Sequence, residues 1–253
     1  MKKIILAAMA AMLTLNAGAA EKKDGEKANQ PVFTTVKANP ITSIKNQNRS
    51  GTCWDYSTLS FFEAELLRKT NKTFDLCEAF VANKTYMDRA IQVVRLHGDC
   101  QFAQGGSAYD PLFAIQHYGI CPEDAMPRTG SLYGDTLFNF NEFFNVMSPY
   151  VAAVAKSNAS KLSPAWKNGL QGILDSYLGK CPESFKYEGK TYTPKSFVES
   201  LGLNLDDYVS VTSYTHHPFW TQFAVEVQDN WRWPLSWNVP MDDMMRIIDN
   251  AIM

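Results

Sequence analysis

The sequence predicts an α+β fold in which helices dominate and strands are few. Three observations carry that expectation. Apolar residues recur at three- and four-residue steps through several long windows. Glycines stand where those windows close, at Gly98, Gly119, Gly179 and Gly202. Strand-type patterning is confined to two short stretches, Phe185–Tyr192 and Tyr208–Tyr214.

The chain opens with a basic Met1-Lys2-Lys3, an apolar Ile4–Leu15 too short to span a bilayer, and the small residues of "NAGAA". This predicts a secretory signal over residues 1–20, cut after Ala19 or Ala20, and hence a secreted or periplasmic protein. No cysteine stands at the cut to carry a lipid anchor. Residues 21–30, "EKKDGEKANQ", are charged and free of aromatics, as a flexible leader would be. Residues 31–253 are then the folded domain, with a weakly marked boundary near Lys180–Glu183.

The first helix is expected over Cys53 to about Lys69. Tyr56, Leu59, Phe62 and Leu66 share one face, and Glu63, Glu65, Arg68 and Lys69 lie off it. Asp75 and Glu78 form a D-x-x-E start for a second helix running towards Gly98. Ser107 caps a third that reaches Gly119. A Phe-rich helical stretch runs from Asp135 to about Lys156, and Ser163-Pro164 opens one ending at Gly179. Phe185–Tyr192 reads as a hairpin turning at Glu188-Gly189. Thr193-Pro194 opens a short helix to Gly202, and Tyr208–Tyr214 alternates as a core strand would. The closing "VPMDDMMRIIDNAIM" is helical, with Met241, Met244, Met245, Ile248 and Ile252 in one stripe. That stripe suits either a helix docked on the domain or one that meets further protein after Met253.

The formal charge of −2 and pI of about 6.1, without any basic stripe, exclude a nucleic-acid partner. After signal cleavage no second apolar run is long enough to cross a membrane. The five cysteines make an odd count, which in an exported chain points to one free thiol, here taken as Cys53. The other four can pair in three ways, or all five stay reduced. His97 and Cys100 lie close together without a second ligand pair, so no metal and no cofactor is assigned.

Chemistry concentrates in "KNQNRSGTCWDYSTLS". A thiol attacks as its thiolate, and a helix N-terminus favours that form through its dipole and free N–H groups. Cys53 stands where the first helix should begin. Gly51 lets the preceding loop turn tightly, and Gln47 places a side-chain amide six residues before the thiol, where it can donate to an oxyanion beside the Cys53 N–H. The same position also suits a half-buried, inert cysteine at a helix start.

The segment "NQNRSGTCWDYST" resembles the nucleophile segment of papain-like cysteine peptidases, in particular the bleomycin hydrolase and aminopeptidase C branch, where Ser50 fits the branch pattern. The stretches "DLCEAFVANKTYMDRA", "GGSAYDPLFAIQHYGICPEDAM" and "WPLSWNVPMDDMMRIIDNAI" extend the resemblance along most of the chain. It implies Cys53 as nucleophile and Gln47 as oxyanion donor. It further implies Trp54 as the tryptophan following the nucleophile, and Gly105 and Gly106 as the edge along which a peptide substrate lies extended. The implied fold is the helical half of a papain-like domain with a helical insertion. The sheet half would be largely missing, and with it the histidine and asparagine that serve the cysteine. In that branch His216-His217 precede the catalytic histidine, and His97 and His117 read as packing or surface residues. The resemblance thus implies an exported peptidase, an aminopeptidase by branch, working through a Cys53 acyl-enzyme. It also implies homo-oligomeric assembly. The rival reading is a non-catalytic homologue that binds peptides without cutting them.

Overall fold

The computed structural model describes residues 32–126 and 137–253. The expected signal and leader, residues 1–30, and the expected helix start at Asp135 lie outside them. The chain divides into two units, Met1–Ala38 and Asn39–Met253. In the first, residues 32–38 carry no regular secondary structure. All the described elements belong to the second.

Helix α1 spans Cys53–Thr70, α2 Glu78–Arg95, α3 Tyr109–Tyr118, α4 Asn141–Ala155 and α5 Ala165–Leu178. A two-stranded hairpin follows, β1 Phe185–Tyr187 and β2 Lys190–Tyr192, and then α6, Pro194–Leu201. The remainder holds β3 Val211–Thr212, β4 Thr221–Ala224, β5 Leu235–Asn238 and α7 Met241–Ile252. The last three strands form one sheet in the order β3-β5-β4. β3 runs parallel to β5 (Val211 opposite Trp237) and β4 antiparallel to it (Gln222 opposite Trp237).

The helices converge on one apolar core. Leu59, Phe62 and Leu66 of α1 meet Phe80, Tyr86 and Val93 of α2, all nearly inaccessible to solvent. Phe140, Phe143 and Phe144 pack edge-on around Tyr86. Leu170, Leu174 and Leu178 bury one face of α5, four residues apart along it. The glycine stops hold, and Gly119 shows why. Its φ is 86°, and a β-carbon there would fall 2.2 Å from the Pro194 carbonyl carbon. The hairpin turns at Glu188 (φ 45°) and Gly189 (φ 78°), the pair of positive φ angles that a tight two-residue turn requires.

Several expectations are corrected. Glu63, read as off the buried face of α1, is fully buried. It accepts hydrogen bonds from the Thr42 hydroxyl, Lys45 Nζ and the Leu76 N–H, so a charge pairs where the periodicity shows only a polar position. Asp75 does not cap α2: Cys77 is the cap residue, and Asp75 forms an ion pair with Lys45 at 2.6 Å. Ser107 does not cap α3 with its hydroxyl; its N–H donates to Asp110 Oδ2 at 2.9 Å. The strand expected over Tyr208–Tyr214 shrinks to Val211–Thr212, because the Tyr214 N–H is taken by the Asn238 side chain. All five cysteines are free thiols, the fully reduced one of the alternatives the sequence left open. Burial pushes the Cys77 thiol well up, helped by its bond to Cys121, and lifts Cys181 to about 12. Among the described residues no helix is long and apolar enough to cross a membrane.

Candidate active site

The loop before α1 is held from three sides. Internally, Gln47 Nε2 donates to the Ser50 carbonyl at 2.8 Å and Ser50 Oγ donates back to the Gln47 carbonyl at 2.8 Å. From one flank, the Phe138 carbonyl accepts from Asn48 Nδ2 and the Arg49 N–H, while the Phe140 N–H donates to the Arg49 carbonyl. From the other, Gln104 receives both ends of the turn. Its Oε1 accepts from the Gly51 N–H at 2.7 Å, and its carbonyl accepts from Trp54 Nε1 at 2.9 Å. The Tyr86 hydroxyl donates to that same carbonyl.

Gly51 is needed here for space. A β-carbon on it would sit 2.6 Å from Gln104 Cβ. Cys53 therefore stands exposed at the head of α1, beside a buried Trp54, on a loop fastened to the residue that precedes Gly105-Gly106. The first N–H groups of a helix have no intrahelical acceptor, so the Cys53 amide is free to face an incoming oxygen. The Gln47 amide carries two hydrogens and commits one to Ser50.

The double-glycine segment is shaped by what lies against it. A β-carbon on Gly106 would meet Asp110 Oδ2 at 2.8 Å and the Trp54 ring at 2.9 Å, and one on Gly105 would meet the Asp229 carboxylate at 2.7 Å. Buried Arg89 collects the carbonyls that lead into it: Nε takes Gln101, and one terminal nitrogen takes Ala103 and Gly105. Arg232 then ties Asp110 to Asp88, 2.8 Å to each, with its guanidinium between the Phe113 and Trp231 rings. Burial raises the Asp110 carboxyl, while the Ser107 N–H and Arg232 pull it the other way. An apolar cavity of about 640 Å³ opens beside Ser107–Tyr109, walled by Phe61 and Phe62 of α1, by Trp237 of β5 and by Val225 just after β4.

Asp55, two residues after Cys53 on α1, is fully buried with neither carboxyl oxygen hydrogen-bonded. Burial pushes its pKa well up, the nearby Glu78 and Asp110 add to this, and Lys45 opposes it. Asp55 thus holds its proton more tightly in the fold than an exposed carboxyl does. Burial opposes the charge on Lys45 as well, but Glu78, Asp75 and Glu63 outweigh it and raise the ammonium pKa.

Of the residues singled out in the sequence, Cys53, Gln47, Trp54, Gly105 and Gly106 share one neighbourhood through Gln104 and the loop. The histidines lie elsewhere. His97 sits at φ 53° after α2. His117 stacks on Phe113 with ring centroids 3.7 Å apart. His216 and His217 both bond Glu226. Among the described residues none is bonded to the Cys53 sulfur. Sequence reasoning missed Gln104, Arg89 and Asp55. Only Gln104 carried a signal, its place directly before the double glycine.

The chain is similar to known proteins. The chain is 24% identical over 251 residues to aminopeptidase G of Lactobacillus delbrueckii subsp. lactis, covering 83% of this chain and 56% of that protein. It is 24% identical over 247 residues to aminopeptidase C of Listeria monocytogenes, covering 84% of this chain and 55% of that one. The crystal structure of PepW from Lactobacillus rhamnosis superposes with a TM-score of 0.65 at 22% identity, over 88% of this chain and 58% of that one, and so shares the fold. The chain spans a little over half the length of these relatives. The Peptidase C1-like family matches residues 2–252. The chain belongs to the Peptidase C1-like family, in the branch of the bleomycin hydrolase and aminopeptidase C enzymes.

Proposed function

We propose that this chain carries the nucleophile-bearing part of an exported cysteine peptidase of aminopeptidase type. Cys53 attacks the scissile carbonyl to form an acyl-enzyme. The Cys53 N–H and the second amide hydrogen of Gln47 receive the oxyanion. The substrate is a peptide lying along Gly105-Gly106, with an apolar side chain in the cavity beside Ser107–Tyr109. The observation that supports this most directly is the pair of bonds from Gly51 and Trp54 to Gln104, which set an exposed thiol and the glycine edge in one rigid frame. A general base must take the thiol proton and return it to the leaving amine. No described histidine stands at Cys53, so this reading assigns the chain the nucleophile, the oxyanion donors and the substrate edge, without the base.

The test is labelling with a peptidyl epoxide at neutral pH, read by intact mass and peptide mapping. Modification is expected at Cys53, faster than for free cysteine, absent in Cys53→Ala and slowed several-fold in Gln47→Ala. Labelling no faster than free cysteine would favour a homologue that binds peptides without cutting them.

A further inference from the structure

We propose that His216, His217 and Glu226 form a binding site for a divalent metal ion of the zinc class, apart from the peptidase chemistry. Both imidazoles turn Nε2 onto one carboxylate, His216 to Oε2 at 3.1 Å and His217 to Oε1 at 2.9 Å. The three ligand atoms lie within 4.8 Å of one another. Tetrahedral zinc bound at about 2.0–2.1 Å separates its ligand atoms by roughly 3.3 Å, so an ion can replace these hydrogen bonds with small side-chain adjustments. Each neutral ring would then carry its proton on Nδ1 and offer the Nε2 lone pair to the ion.

The site is held in shape by residues beneath it. Asn238, fully buried in β5, donates through Nδ2 to the carbonyls of Tyr214, His217 and Pro218 and accepts from the Tyr214 N–H. The turn bearing both histidines is thus fastened to the sheet from inside. Phe223 of β4 stacks under the His217 ring at 3.9 Å, and Glu226 follows the end of the same strand. Two side chains that share one carboxylate, on a turn locked by a buried amide, are pre-organised, which lowers the entropic cost of capture. Two imidazoles and one carboxylate suit Zn²⁺, Co²⁺, Ni²⁺ or Cu²⁺ better than Mg²⁺ or Ca²⁺, which prefer oxygen ligands throughout. Both His216 and Glu226 are exposed, so the remaining coordination positions face water. That makes this an exchangeable site, unlike a closed structural centre with four protein ligands.

Titration of the full chain with Co²⁺, with Zn²⁺ in competition, tests the assignment. One equivalent should bind with d–d bands and no thiolate charge-transfer band. His216→Ala, His217→Ala and Glu226→Gln should each weaken binding about tenfold or more. In the unsubstituted protein, Co²⁺ should broaden the ring proton signals of His216 and His217 before those of His97 and His117, a readout that needs no variant to fold. Absence of saturable binding, a thiolate band, substitutions without effect, or broadening centred on His97 or His117 would each overturn it.

Discussion

The part of the molecule from Cys53 to Leu201 and the part from Leu205 to Ile252 are stabilised by opposite means. The first closes on itself. Its six described helices bury one face each, and its buried Glu63 and Arg89 are paired, Glu63 with Thr42, Lys45 and the Leu76 N–H and Arg89 with backbone carbonyls. The second buries little. Trp220 is 62% exposed, Leu235 56% and Trp237 41%, and α7 has no buried residue at all. Its order comes from Asn238, which fastens the turn, from three short strands, and from Arg232, which pairs with Asp88 and Asp110 of the helical part. The difference shows that local regularity does not require an apolar core. A few buried polar bonds define a shape without supplying much hydrophobic stabilisation.

The comparison can be broken most directly at Arg89. Arg89→Ala leaves the carbonyls of Gln101, Ala103 and Gly105 without their donor and opens a cavity, at an expected cost of roughly 3–5 kcal/mol. Urea unfolding should show it as a lowered midpoint, and a loss below about 1 kcal/mol would mean that the helical part does not depend on this charge. Asn238→Ala should cost less, about 2 kcal/mol, and act locally. Hydrogen exchange should quicken for residues 214–220 and β5 while α2 and α5 stay protected. Uniform loosening would show the two parts to be one cooperative unit.

Asp55 sharpens the comparison through pH. Its carboxyl is raised in the fold and ordinary, about 3.9, in the unfolded chain, so the folded state keeps a proton that the unfolded state releases. The contribution is fully present below about pH 4 and is lost as pH rises towards the folded value, by at most about 1.4 kcal/mol per pH unit. Asp55→Asn should remove that decline, so that the variant gains on the parent between acid and neutral pH. An unchanged slope in urea titrations at several pH values would show that Asp55 is not the titrating group. The smallest effect is expected at Arg68, which pairs with Glu65 on the open side of α1 and lowers its carboxyl pKa. Arg68→Ala should leave the urea midpoint unmoved within error, because exposed ion pairs are screened by water and salt.

The helices were legible because their signals are local. The three- and four-residue spacing of Leu59, Phe62 and Leu66 needs no knowledge of what they pack against. So were the hairpin turn at Glu188-Gly189 and the Thr193 cap, which bonds the Ser196 N–H within its own first turn. Cys53 was legible for the same reason, standing at a helix start behind a glycine. The β3–β5 pairing was hidden, since parallel strands some 25 residues apart leave no local pattern.

Residue order alone thus settled that these segments are helical, roughly where they stop, and which thiol heads one, because backbone propensity and apolar spacing act over a few neighbouring residues. Which polar groups end up without water was settled by the packed fold. Glu63 and Asp55 look like ordinary helix-surface acids until Lys45, Leu76 and Glu78 close over them from elsewhere in the chain. Burial, and the pairing and pKa that follow from it, depend on distant residues meeting, and spacing along the chain does not encode that.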